Sequence, residues 1–218
     1  MNVLRWLAVP ILCFAMDGAA LAQQAAPPGQ FDYYLLTLSW SPAYCATHRG
    51  PAAHDECAQQ RGFIVHGLWP QNENGTWPAF CRAVQPVAKE RIAHELPIMP
   101  NGAMIEHEWD KHGSCTTQTA AAYFDTLDRA FAAFHVPEAL DRPKHAVSLP
   151  LAAAKRLIAD ANPGLDPAMF ALRCAAGTQV EELRICLDTG FRPRLCGKDV
   201  TDTCRVTARF GPTIDSTR

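Results

Sequence analysis

Apolar and polar positions follow two different periods along this chain, and the changes of period divide it into elements. Tyr33 to Ser39 is dense in aromatic and aliphatic residues and reads as a strand; so does Gly62 to His66, an apolar run that ends on an imidazole. Pro86 to Leu96 reads as a helix stopped by Pro97 and Pro100, and Met104 to His112 as a second. From Thr117 to Phe134, the residues Tyr123, Phe124, Leu127, Ala130, Phe131 and Phe134 recur at helical spacing and make one apolar face, which belongs in a core. Leu149 to Ala161 is a further helix, ended before Pro163. Phe170 to Cys174, Val180 to Leu187 and Arg205 to Phe210 read as strands. Helices and strands mixed in this order predict an α+β fold with a mainly antiparallel sheet flanked by helices.

The first 22 residues have a different character. Arg5 precedes an apolar stretch from Trp6 to Met16, and Ala20-Leu21-Ala22 follows, the pattern of a secretory signal peptide cleaved before Gln23. The apolar core is too short for a membrane span, and no later stretch has membrane length. The mature chain, 23–218, is expected to form a single domain, because about 196 residues hold one sizeable core and barely two. Of nine cysteines, Cys13 leaves with the signal. The even set that remains, Cys45, Cys57, Cys81, Cys115, Cys174, Cys186, Cys196 and Cys204, implies four disulfides in an exported protein. No Cys-x-x-Cys pair suggests a zinc site instead.

Charge narrows the range of partners. The net charge of −2 is unevenly spread: residues 23–140 hold 7 Lys and Arg against 12 Asp and Glu, and residues 141–218 hold 12 against 9. Such a balance argues against tight, sequence-blind coating of nucleic acid, but a transient polyanionic substrate needs only a local cationic site.

That site is predicted around Ile105 to Cys115. Between Glu106 and His112 stand two histidines, three carboxylates and a lysine. On a helix, Glu108, Lys111 and His112 fall at i, i+3 and i+4 and share a face, with His107 at its edge. Gly113 is expected to end the helix in a left-handed cap, and Cys115 to pin its exit. A zinc-peptidase helix needs His-Glu-x-x-His; here His107 and His112 are five apart, about 140° out of line, with a lysine between them, so neither metal nor cofactor is expected. Metal-free phosphoryl transfer fits the residues better. Attack of a ribose 2′-OH on its neighbouring phosphorus needs a base for that proton, an acid for the leaving 5′-oxygen and positive charge for the phosphorane. Two imidazoles supply the proton roles, one neutral and one charged, and would titrate as a coupled pair with a bell-shaped pH profile. His48 and His54 read as part of a polar loop, His94 as a helix-surface residue, and His135 and His145 as neighbours of prolines, none with a catalytic role.

His66-Gly67-Leu68-Trp69-Pro70 and His107-Glu108-Trp109-Asp110-Lys111-His112-Gly113-Ser114-Cys115 closely resemble the two active-site segments of the ribonuclease T2 family of secreted or periplasmic RNA endonucleases. Phe31 to Pro42 is similar to that family's first strand. The resemblance implies that His66 is the general acid, His112 the general base, and Glu108 and Lys111 stabilisers of the transition state. It implies that His107 holds the phosphate and Trp69 lies beside a base, with Gln71 and Met104 near the base sites. Because Gln71 and the pair Met104-Ile105 depart from the family pattern, broad base specificity is expected. The residues by themselves leave open which histidine is acid and which base.

The same resemblance favours a Cys81–Cys115 disulfide and, by looser analogy, Cys45–Cys57, Cys174–Cys204 and Cys186–Cys196. It implies a monomer acting on RNA, single-stranded by preference, with no membrane association after signal cleavage. Products would end in 2′,3′-cyclic phosphate, and water access would decide whether the ester is then opened to a 3′-phosphate. The competing reading is an exported binding or toxin-like protein on the same scaffold whose effect does not need cleavage.

Overall fold

The computed structural model describes residues 26–48 and 50–213, so the expected signal peptide, residues 1–22, lies outside the described residues. In chain order the elements are β1 (Tyr33–Trp40), α1 (Ser41–Thr47), α2 (Pro51–Ala58), β2 (Phe63–Gln71), α3 (Lys89–Glu95), α4 (Gly102–Lys111), α5 (Ala120–Ala132), β3 (Val147–Pro150), α6 (Leu151–Asp160), β4 (Phe170–Ala175), β5 (Gln179–Leu187) and β6 (Thr207–Phe210). The strands form one sheet in the order β2-β1-β5-β6-β3, with β4 paired to β5 outside that path. All pairings are antiparallel except the short parallel bridge of β5 to β6, so the sheet is mixed, and the fold is α+β.

β1 is buried on both sides because its alternate residues serve two clusters. Tyr34, Leu36, Leu38 and Trp40 enter the main core, where α4, α5 and α6 contribute Ile105, Trp109, Tyr123, Phe124, Leu127, Ala154 and Ile158. Tyr33 and Leu35 point the other way, to a smaller cluster with Ala171, Cys186 and Val200. The period of two in the strand and the stripe in α5 are therefore the same core seen from opposite sides.

β2 lies at the edge of the sheet, and its outer backbone groups are covered. Val65 N–H donates to the Ile98 carbonyl at 3.0 Å, and the Tyr123 hydroxyl donates to the Leu68 carbonyl at 2.9 Å. An edge satisfied in this way cannot recruit another strand, and it anchors the surrounding helices to the strand that carries His66.

The segment between Cys45 and Cys57, expected to be loop, holds the end of α1 and most of α2, helices each opened by a proline in the first turn. Both are too short to show a period. β3 was likewise not anticipated: its four residues become a strand by pairing with β6. Gly113 also departs from expectation. It is not in the left-handed region; α4 passes through His112 into a 3-10 turn, Gly113–Cys115. Glycine is required there for proximity, since a Cβ would overlap the Trp109 ring, 2.8 Å from Cζ3.

The four disulfides are Cys45–Cys57, Cys81–Cys115, Cys174–Cys204 and Cys186–Cys196, the pairings the family resemblance implied. Cys81–Cys115 fastens the loop after β2 to the turn after α4, the segments that follow the two elements carrying the histidines. Among the described residues no helix is long and apolar enough to cross a membrane.

Candidate active site

His66 owes its position to a break in the sheet. Thr37 stands opposite Gly67 and Leu38 opposite Val65, so His66 is an extra residue in β2 with no partner in β1. Such a bulge frees a side chain from strict alternation and redirects it. The imidazole turns toward the face carrying Ser39 and Glu182, themselves paired across β1 and β5. Its Nδ1 lies 3.1 Å from Glu182 Oε1 and 3.4 Å from Ser39 Oγ, and its Nε2 lies 3.8 Å from Glu108 Oε1.

Glu108 and His112 arrive from the other side, on the last turn of α4. That helix starts where the Asn101 side chain accepts from Met104 N–H at 3.1 Å, and it buries Ile105 and Trp109 in the core. The i, i+4 spacing then sets His112 Nε2 4.0 Å from Glu108 Oε2. One carboxylate thus stands between two imidazoles. Trp69 holds it there: Nε1–H donates to Glu108 Oε2 at 2.7 Å. The Trp69 ring stacks on His112 with centroids 5.1 Å apart and meets His66 edge-on at 5.0 Å. Gly67 makes room, because a Cβ there would overlap Glu108 Oε2 and stand 2.8 Å from Cδ.

Burial and charge divide the titrations. Burial would lower His66, but the hydrogen bond to Glu182 and the charges of Glu108 and Glu182 outweigh it and raise its pKa. His112 moves the other way: burial, Lys111, His107 and His66 all hold it well below the usual imidazole range. Burial pushes Glu108 up to about 7 against the pull of His66, the Trp69 N–H and Lys111. Glu182, in spite of burial, is drawn down to about 2 by His66 and Arg184. His107 is exposed on α4 and lowered by burial of part of its ring and by Lys111. Lys111 makes no ion pair among the described residues, so its ammonium is available to an anion.

A profile of the Ribonuclease T2 family matches residues 31–196, which include both histidine segments and the carboxylate between them. The chain belongs to the ribonuclease T2 family. Curated relatives include a ribonuclease of Aeromonas hydrophila, 39% identical over 100 residues, covering 45% of this chain and 44% of that protein. A probable ribonuclease of Haemophilus influenzae is 37% identical over 131 residues, 54% of this chain and 47% of that one. The chain thus spans about half the length of the curated relatives it matches. Among solved structures, ribonuclease MC1 from bitter gourd seeds superposes with a TM-score of 0.61 at 25% identity, covering 82% of this chain and 99% of that one. Trichomaglin, an S-like ribonuclease, shares the fold at a TM-score of 0.69 and 20% identity, covering 85% and 100%.

In this T2-family chain the structure brings together His66, Glu108, His112 and Trp69, with Lys111 close enough to bias two of them. Two residues expected near the base sites are partly or wholly covered by the fold. Gln71 is only 4% exposed, opposite Tyr33 on the part of the sheet face covered by the smaller cluster that includes Val200 and Cys196. Met104 is half-buried against the main core. Neither has a hydrogen bond to the histidines. Trp69 is engaged within the protein: its N–H is used by Glu108 and its ring contacts His112 and, at 5.3 Å, the Arg184 guanidinium.

The sequence reading missed Ser39, Glu182 and Arg184. A signal existed: in β5 the apolar residues Val180, Leu183, Ile185 and Leu187 line the main core, while Glu182 and Arg184 interrupt a central strand on its other face. Only one group of described residues, His94, Glu95 and Asp128, has the spacing of a metal site. Arg91 already occupies it, its guanidinium 3.0 Å from Glu95 and 3.5 Å from Asp128, so the donor set does not favour a second cation.

Proposed function

We propose that this T2-family chain is an exported, metal-independent endoribonuclease of broad base specificity acting on single-stranded RNA, with its catalytic centre at His66, Glu108, Lys111 and His112. The observation that carries this reading is the placement of two imidazoles on either oxygen of one carboxylate, at 3.8 and 4.0 Å, with titrations displaced in opposite directions. Those displacements favour the charged form of His66 and the neutral form of His112.

The chemistry follows from those protonation states. His112 accepts the 2′-OH proton as the 2′-oxygen bonds to phosphorus; His66 gives a proton to the 5′-oxygen as its bond to phosphorus breaks. The products are a 2′,3′-cyclic phosphate and a free 5′-hydroxyl, and the two rings exchange protonation states. Lys111 offsets the phosphorane charge. Glu108, half neutral near pH 7, can donate a hydrogen bond to a phosphoryl oxygen in its protonated form, where a fixed carboxylate would repel it. His107, exposed on the same helix, suits contact with a phosphate oxygen.

The relatives named ribonuclease support this reading, as does the bitter gourd enzyme, one mutant of which was solved with 5′-GMP. Four disulfides suit an oxidising compartment and therefore export. The test is purified protein with RNA or DNA, in the presence of EDTA. Cleavage of RNA alone, unaffected by chelation and leaving cyclic phosphate ends by mass spectrometry, is expected, because DNA lacks the nucleophile. His66→Ala and His112→Ala should each lower turnover by about 100-fold or more; full activity in both, or 5′-phosphate ends, overturns the reading.

A further inference from the structure

We propose that Glu182 is the positioning residue of His66: its Oε1 accepts the Nδ1 proton, fixing the ring so that Nε2 is the nitrogen offered to the reaction. This rests on the reading above, in which His66 is the acid, and adds a residue 116 positions away that neither histidine segment contains.

Three features of the fold support it. First, the bulge removes His66 from the sheet's alternation, so its ring needs another restraint. The Glu182 carboxylate supplies it at 3.1 Å, from a strand separated from β2 by β1. Second, Glu182 is itself immobilised. Arg184, two residues along the same face, donates from Nε at 2.9 Å and from its terminal nitrogen at 2.7 Å, both to Oε2, leaving Oε1 for the imidazole. Arg184 in turn lies over the Trp69 ring at 5.3 Å, and Trp69 holds Glu108. Third, the assignment divides the two nitrogens cleanly: Nδ1 faces the sheet, and Nε2 faces Glu108 and the site. An acid that gives its proton from Nε2 needs Nδ1 to keep one, and an anchored carboxylate is the partner that favours this tautomer.

The charged groups around His66 are Glu182 and Arg184 from β5, Glu108, His107 and His112 from α4 and its end, and Glu56 from α2. Arg173, opposite Glu182 on β4, is the next cation on that face. Of these only Glu182 hydrogen-bonds the ring at full strength, so its removal has an effect distinct from a general change of charge.

The test reads His66 directly by nitrogen-15 NMR of the imidazoles in the full chain, without RNA. In the wild type, neutral His66 is expected as the Nδ1–H tautomer. In Glu182→Gln its pKa is expected to fall by about one unit or more. The basic limb of the pH-rate profile should move down with it, and turnover should drop by at least about tenfold with KM for a dinucleotide nearly unchanged. Glu182→Asp should recover part of each effect. An Nε2–H tautomer in the wild type overturns the proposal without any variant, as does a folded Glu182→Gln with His66 titration and basic limb unmoved. If the wild type cleaves no RNA, the functional reading fails, whereas the tautomer and titration still decide the role of Glu182.

Discussion

Gly67 and Glu108 occupy the same space: the hydrogen of the glycine is all that fits where the carboxylate passes, and any Cβ would overlap Oε2. Gly67→Ala is therefore expected to displace Glu108 from between the imidazoles. RNA cleavage should fall by about 100-fold, the scale of losing a positioned proton-transfer group, while circular dichroism stays native. An alanine variant with normal turnover would show that Glu108 does not need this position.

Trp69→Phe separates the indole's hydrogen bond from its bulk. Without Nε1–H the buried Glu108 Oε2 loses its donor, at a cost of about 1–3 kcal/mol, read by urea unfolding. The same hydrogen bond pulls the Glu108 pKa down, so its loss should raise that pKa above about 7, measured by carbon-13 NMR of the carboxyl. A titration that shifts downward would contradict the geometry.

The pH-rate profile should be bell-shaped and broad. His112 must be neutral, and its pKa lies well below 6.5, so activity rises with pH through that lower value. His66 must be charged, and its pKa is raised above 6.5, so activity falls as pH rises through that higher value. The plateau should bracket pH 6.5, measured as kcat/KM for a dinucleotide. A narrow maximum, or His112→Ala abolishing the basic rather than the acidic limb, would reverse the assignment of the two rings.

Stability should carry the same signs. His112 is depressed in the fold, so the unfolded chain binds its proton first, and this group's contribution weakens as pH falls below 6.5. Glu182, drawn down to about 2, contributes fully above the ordinary carboxylate range and less as pH falls from about 4.5 toward 2. Glu108, raised to about 7, works in the opposite sense between pH 7 and about 4.5, so the clean reading is below that range: urea unfolding should show wild type losing stability between about pH 4.5 and 3 that Glu182→Gln does not lose. The same change of stability with pH in wild type and Glu182→Gln below about pH 4.5 would rule out the Glu182 shift.

Replacing Cys81 and Cys115 together by serine should lower stability by about 2–4 kcal/mol, as expected for opening a loop of this size. Activity should decline more than activity in a variant lacking Cys174–Cys204, because only the former joins the loop after β2 to the turn after α4. Equal losses in the two variants would mean that the bridge acts through overall stability alone.

Much of this was legible before any coordinates. The strand over Tyr33 to Ser39, the stripe on α5 and the helix ending at His112 depend on period and local caps, properties of neighbours in the chain. The helix also put Glu108 and His112 on one face correctly, since i, i+4 is local geometry. Gly113 was misjudged because glycine after a helix usually marks a left-handed cap, whereas here the Trp109 ring dictates the residue. The burial of Gln71 opposite Tyr33 follows from the register of β1 and β2, which distance along the strand from His66 does not reveal.

The even cysteine set and the two histidine segments are legible in the chain alone, because they are written in local order and composition. Tertiary structure alone decided that the ladder slips by one residue at His66, that Glu182 meets the freed ring, and that Trp69 is engaged by Glu108, His112 and Arg184. Those facts depend on strand register and on packing between distant segments. A register offset of one residue exchanges the faces of a strand, and no local pattern around His66 specifies its partner in β5.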